Sequence, residues 1–430
     1  MTFQPRFERD VPVLLEELYL AGTPDYRDDL LLRIVRTRQR RAWSFPTRWI
    51  PMDIVTRRVP FAPLPWRALG ILALIVIAAA AVVLVGVGSP QRVPPPFGPA
   101  RNGPLAYTQN DAIYTRDSIA GAEKLLVGGD GLKYGFWGFS PDGTRMLYQK
   151  TVDGSDYLIA ADADGRNARQ ILDAPVKDTY VAWGPDGRTV AVATEIDAIP
   201  SLLFAHVDGS PPVRVDLGGI KPTDLAWRPP TGAQLLFRGQ SFPSASQDLY
   251  LVNADGTGLR GLGLPSPLIF GPDWDVSGPS WSPSGDRIAY NRVEFVTGDL
   301  SHFRVHVVRP DGTGDVALPA PEDPAINEAW PIWSPDGRWI AVEHFTFGEP
   351  GDDWAALLPS DGSAPARDLL PRRRASPDGG IVKTWSPDGT RVLARSNGFG
   401  TMFSIDPVTG VIEDIPWRAL DLPDIRRLAP

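Results

Sequence analysis

Eight residues of the C-terminal half combine carboxylates with aromatic faces: Phe270, Asp273, Trp274, Asp275, Glu328, Trp330, Asp353 and Trp354. Exposed aromatics beside carboxylates suit a sugar ring, a peptide or a cationic group. Paired carboxylates could also cleave glycosides. Among Asp273, Asp275, Glu328 and Asp353, a separation of about 5–5.5 Å would serve a retaining reaction and about 6.5–9.5 Å an inverting one. Two of the four histidines, His302 and His306, would share a face of a strand, but a metal there would need a further ligand, and both are read as strand histidines. Asp162-Ala163-Asp164-Gly165 resembles part of a calcium loop but lacks the further oxygens and the distal Glu, so it is read as a turn. With no cysteine, disulfides, thiolate metal sites and cysteine nucleophiles are all excluded. No Gly-x-Ser-x-Gly elbow, P-loop or dinucleotide fingerprint occurs. Neither a cofactor nor a metal is expected, and no catalytic residue is assigned.

The elements that must carry these residues follow from a repeat. An aromatic-Ser-Pro-Asp-Gly motif or a close relative begins at Phe139, Trp183, Trp227, Trp281, Trp333 and Trp385, in steps of 44, 44, 54, 52 and 52 residues. Proline pre-sets φ in the turn, Asp or Ser bonds the turn backbone, and Gly takes the positive φ. Short β-prone runs follow, such as Met146-Leu147-Tyr148 and Ile340-Ala341-Val342. Runs without alternation read as strands buried on both faces. A second turn recurs at Asp164-Gly165, Asp208-Gly209, Asp255-Gly256, Asp311-Gly312, Asp361-Gly362 and Thr409-Gly410. Two hairpins per repeat make four strands, which is one propeller blade. Pro230-Thr231 lengthens the third motif and Ser284 replaces Asp in the fourth, so turn geometry should differ there.

These motifs resemble the WD-like propeller repeats of TolB-like proteins, which share both turns. The likeness covers about Pro104 to Pro430. It implies a β-propeller, and for function it spans periplasmic binding modules and enzyme side domains. The expected fold is therefore all-β, a propeller of four-stranded blades. Leu105-Ala106-Tyr107, Ala112-Ile113-Tyr114 and Lys124-Leu125-Leu126 supply three strands before the first motif, and Asp424 to Pro430 could supply the fourth. That makes seven blades, with six, usual in the family, as the alternative if the terminal segment does not pair.

The motif turns and Asp-Gly turns join strands one to two and three to four, so they share one face of the disc. Longer segments, Gly239–Gln247, Leu264–Pro279, Val296–His302, Pro319–Trp330 and Phe345–Trp354, share the opposite face and hold the eight residues named above. A rigid scaffold with one loop-rich face is a usual binding platform.

Ala68 to Val87 is a run of twenty residues without a charge, long enough to cross the ~30 Å hydrocarbon core as a helix. Residues 1–66 are expected to be a cytoplasmic helical segment, 67–88 the transmembrane helix, 89–103 a Pro-rich linker and 104–430 the extracytoplasmic propeller. Twelve arginines against eight acids in residues 1–67 place the N-terminus in the cytoplasm. Beyond the span remain 31 basic and 43 acidic residues, a balance that disfavours nucleic acid. Helices are expected after Asp10 and Thr23, with Arg36–Arg41 as a basic end. This layout resembles membrane-bound anti-sigma factors, although their usual His and Cys zinc ligands are missing. The resulting expectation is a cell-membrane, single-pass, non-enzymatic module that binds a protein, peptide or glycan ligand. It would act as a sensor where the cytoplasmic helices have a partner. A glycan-active enzyme and a purely structural propeller are the alternatives.

Overall fold

The computed structural model describes residues 97–241, 247–264, 279–295, 301–347, 352–371, 373–374, 381–396, 402–419 and 423–429. The chain divides into units Met1–Gly88 and Ser89–Pro430, and the described residues all belong to the second. The expected N-terminal helices and the Ala68–Val87 span lie outside the described residues. No helix among the described residues is long and apolar enough to cross a membrane.

Seven antiparallel sheets follow one another, each with four strands in simple order. Blade two is typical: Lys133–Phe139, Arg145–Val152, Ser155–Asp162 and Arg169–Gln170. Blade one is composite. The C-terminal strand Asp424–Leu428 pairs with Arg101–Gln109 and precedes it in the sheet. The ring thus closes through the last residues of the chain, as the incomplete ends of the repeat array imply, and the count is seven. Blade six carries an extra short strand, Arg373–Arg374, against Asp352–Pro359.

Each motif turn is built by its own side chains. Ser140 Oγ donates to Asp142 Oδ1 at 2.5 Å, Thr144 N donates to the same carboxylate at 3.0 Å, and Gly143 N donates to Ser140 O at 2.8 Å. The pattern recurs at Ser334/Asp336 and Ser386/Asp388. Where Ser284 replaces the acid, Asp286 takes over and accepts from Ser282 Oγ at 2.9 Å. The longer third turn contains a cis Pro229–Pro230 peptide. In the second turns, Thr257 and Thr313 hydroxyls hold the Asp255 and Asp311 carboxyls below their ordinary pKa. These aspartates are turn formers.

The motif aromatics lock neighbouring blades. Trp183 Nε1 donates to Gly138 O, Trp227 Nε1 to Ala182 O, Trp281 Nε1 to Ala226 O and Trp385 Nε1 to Ile332 O, at 3.1–3.3 Å. Each bond runs from one first strand to that of the preceding blade, so first strands surround the centre. The turns also stack: a Cβ added at Gly285, whose φ is +71°, would collide with the Pro229 carbonyl oxygen of the previous turn. Seven apolar clusters fill the seven blade interfaces, for example Leu147 and Leu158 of blade two against Val190 and Leu203 of blade three. Their burial is the main favourable term holding the ring.

Candidate functional site

Of the eight expected site residues, Phe270, Asp273, Trp274 and Asp275 lie outside the described residues. The other four correct the sequence reading in one respect: they stand in strands, not loops. Glu328 and Trp330 belong to Ile326–Trp333, and Asp353 and Trp354 to Asp352–Pro359. The strands of blade six extend further toward the loop face than the turn signals suggested. Glu328 and Trp354 are sealed in the interior at 0% and 1% exposure, and Asp353 is also buried. They form wall, not open contact surface. Trp330 is half-buried in a bulge between Ala329 and Ile332 with φ of +58°, its N–H donated to Asn291 Oδ1 of blade five at 3.0 Å.

Glu328 is not isolated. Strand register puts it opposite His344, and His344 opposite Trp354. His344 Nε2 lies 3.6 Å from Glu328 Oε1, and His344 Nδ1 lies 3.2 Å from Asp368 Oδ1. Trp354 Nε1 donates to that same Asp368 oxygen at 2.6 Å. The row runs from the sealed Glu328 to Asp368, whose side chain is 54% exposed. Neither Glu328 oxygen makes a hydrogen bond, and neither does His344 Nε2. A carboxylate facing an imidazole without other donors can hold or exchange a proton. The sequence reading missed His344 and Asp368. Period-two alternation from Glu328 could not reveal them, because they enter through two further strands.

His306 joins a comparable but satisfied set in blade five. Tyr290 Oη donates to Asp315 Oδ1 at 2.7 Å, His306 Nδ1 lies 3.1 Å from the same oxygen, and Arg292 Nη1 reaches Oδ2 at 3.0 Å. Burial raises the Asp315 pKa, but the His306, Tyr290 and Arg292 contacts together hold it below its ordinary value, while burial and the Asp315 partner push the Tyr290 hydroxyl far above its own.

A cavity of about 490 Å³ opens at the centre of the ring. Its lining includes Trp227, Trp281, Trp333, Pro283, Phe97 and Arg427. The three tryptophans close first strands and Pro283 forms a motif turn, so the cavity lies on the turn face, opposite the loop-rich face read as a binding platform. Bulges at Thr223/Ala226 and Ala329/Ile332 shape its walls. Much of the loop face, including residues 265–278 and 296–300, lies outside the described residues.

No family model matches the chain, and no curated protein does. Solved structures share its fold. An oligogalacturonate lyase in complex with manganese aligns with a TM-score of 0.52 at 14% identity, over 74% of this chain and 84% of that one. A prolyl endopeptidase aligns with a TM-score of 0.53 at 16% identity, over 76% of this chain and 50% of that one. TolB from Acinetobacter baumannii aligns with a TM-score of 0.47 at 14% identity, over 75% and 82%. At these identities the first two similarities establish the propeller fold alone.

Proposed function

We propose that the protein is a single-pass membrane protein whose extracytoplasmic propeller is a non-enzymatic binding or scaffolding module. Residues 1–66 stand on the cytoplasmic side, Ala68–Val87 crosses the bilayer, and the Pro-rich linker carries the ring. The observation that supports this best is where the chain joins the ring. Phe97–Ala100 lies against the turn-face mouth, with Gly98 O accepting from Arg427 Nη2 at 2.5 Å and Ala100 N donating to Pro387 O at 2.8 Å. A stalk attached on that side leaves the loop-rich face for a partner. The ring supplies the rigidity that a binding platform needs. A protein, peptide or glycan ligand fits the aromatic and acidic loop composition, and the sensor version adds a cytoplasmic protein partner for residues 1–66. The glycan-active alternative has less support, since Glu328 is closed to any substrate.

The absence of native cysteine makes the topology directly testable. Val408 is 82% exposed, so Val408→Cys should react with a membrane-impermeant maleimide in intact cells, whereas Thr2→Cys should react only after lysis. The opposite labelling pattern would refute the orientation, and labelling of both would refute the span.

A further inference from the structure

The least exposed acidic, basic and histidine side chains among the described residues, Arg304, His306, Glu328, Glu343, His344 and Asp353, all belong to blades five and six. Burying charge is costly unless it is paired and hydrogen-bonded, so this concentration calls for a physical account. Arg304 reaches the Phe303 and Ile326 carbonyls, and His306 is held by Asp315. Glu328 differs: it is sealed, both its oxygens lack a hydrogen bond, and His344 Nε2, likewise without a hydrogen bond, lies 3.6 Å from its Oε1.

The geometry points to a proton-binding site between His344 Nε2 and Glu328 Oε1. His344 Nδ1 faces the Asp368 carboxylate, which can only accept, so Nδ1 carries a hydrogen and Nε2 is the atom free to take or give the shared one. With one proton on the pair it is either an imidazolium with a carboxylate or an imidazole with a carboxylic acid, and each turns a contact of facing lone pairs into an attractive one. Without it, two lone-pair-bearing atoms face each other in a site closed to water. The surrounding groups offer no obvious substitute. Across the interface blade five presents Asn291, which donates to Glu328 O, and the apolar Val293 and Phe303. The nearest cation placed there, Arg304, is engaged with the two carbonyls. On blade six, Asp353 and Glu343 alternate to the other side of their strands and have interactions of their own, while Asp368 is already shared by His344 and Trp354. Loss of the proton to solvent base therefore loosens the loop-face end of the junction between blades five and six, next to the face offered to a partner.

Opening the junction gives the shared proton up to solvent, so its equilibrium constant should rise with pH. Hydrogen exchange of the full-length chain, corrected for intrinsic rates, should show this slope in Ile326–Trp333 and Trp339–Thr346 but not in Arg145–Val152 of blade two. Glu328→Gln, whose amide can donate to a neutral Nε2, should abolish the slope. A slope absent from the wild type, retained in the Gln variant, or equal in blade two would overturn the proposal. If the variant does not fold, ring ¹⁵N shifts of the wild type give a second test, practicable with four histidines. A proton on or shared by His344 Nε2 at pH 8 supports the site; a bare Nε2 overturns it.

Discussion

Replacing Asp424 by Asn tests what closes the ring. Asp424 sits on the last strand, and its Oδ2 accepts from Phe139 N of blade two at 2.7 Å, a contact between residues 285 apart in sequence. Burial raises its pKa from 3.8 to about 6, against the smaller opposing effects of the Phe139 and Ile425 N–H groups and Arg427. Below about pH 4 the folded and unfolded chains both hold this proton. Between about pH 4 and pH 6 only the folded chain does, so stability falls as pH rises through that window, and above it the penalty is constant. A shift of this size corresponds to about 3 kcal/mol at ~1.4 kcal/mol per unit. That figure is a ceiling, because Asp424 keeps partial contact with solvent. Asn preserves the acceptor for Phe139 N and removes the buried charge. Urea unfolding of the full-length chain, followed by tryptophan fluorescence, should show Asp424→Asn more stable than wild type by about 1–3 kcal/mol at pH 7.5, with the difference vanishing near pH 4. An Asn variant less stable at pH 7.5, with no convergence in acid, would refute the reasoning and show that the ionised carboxylate holds the clasp through Arg427.

The indole lock predicts a difference between two otherwise similar substitutions. Trp227→Phe leaves the Ala182 carbonyl without its donor and should cost about 1–3 kcal/mol beyond the common loss of ring area, whereas Trp333 Nε1 makes no hydrogen bond, so Trp333→Phe should cost less. Equal urea midpoints for the two variants would count against the lock. Among turn glycines, Gly410→Ala meets open space at a φ of +72° and should lose only about 1–2 kcal/mol, while Gly285→Ala adds a collision with Pro229 and should lose clearly more. Thermal melts of the pair would decide, and matching losses would show that the turns do not bear on one another.

The propeller was legible because its signals are local. A Pro-Asp-Gly turn needs only its own residues, as the Ser140–Asp142–Thr144 bonds show, and six such turns with incomplete flanks imply a seventh composite blade. The site was far less legible. Glu328, Asp353 and Trp354 read as loop residues because turn chemistry marks where a hairpin reverses but not how far its strands extend. Their extension in blade six is decided by pairing with Trp339–Thr346. The cavity also escaped the sequence reading, since it is assembled from the ends of first strands in three blades and from Phe97 and Arg427.

What the amino-acid sequence determined by itself is the repeat, the blade and the two-faced disc, all consequences of interactions spanning a few residues. It also determined the uncharged run and the arginine asymmetry on which the membrane proposal rests. The tertiary structure alone decided which polar side chains are sealed and what they meet. Glu328 meets His344 sixteen positions away, and Asp424 meets Phe139 of the neighbouring blade 285 positions away in sequence. The physical reason is that the free energy of a charge depends on the dielectric and donors around it, and those exist only once neighbouring strands and blades have packed.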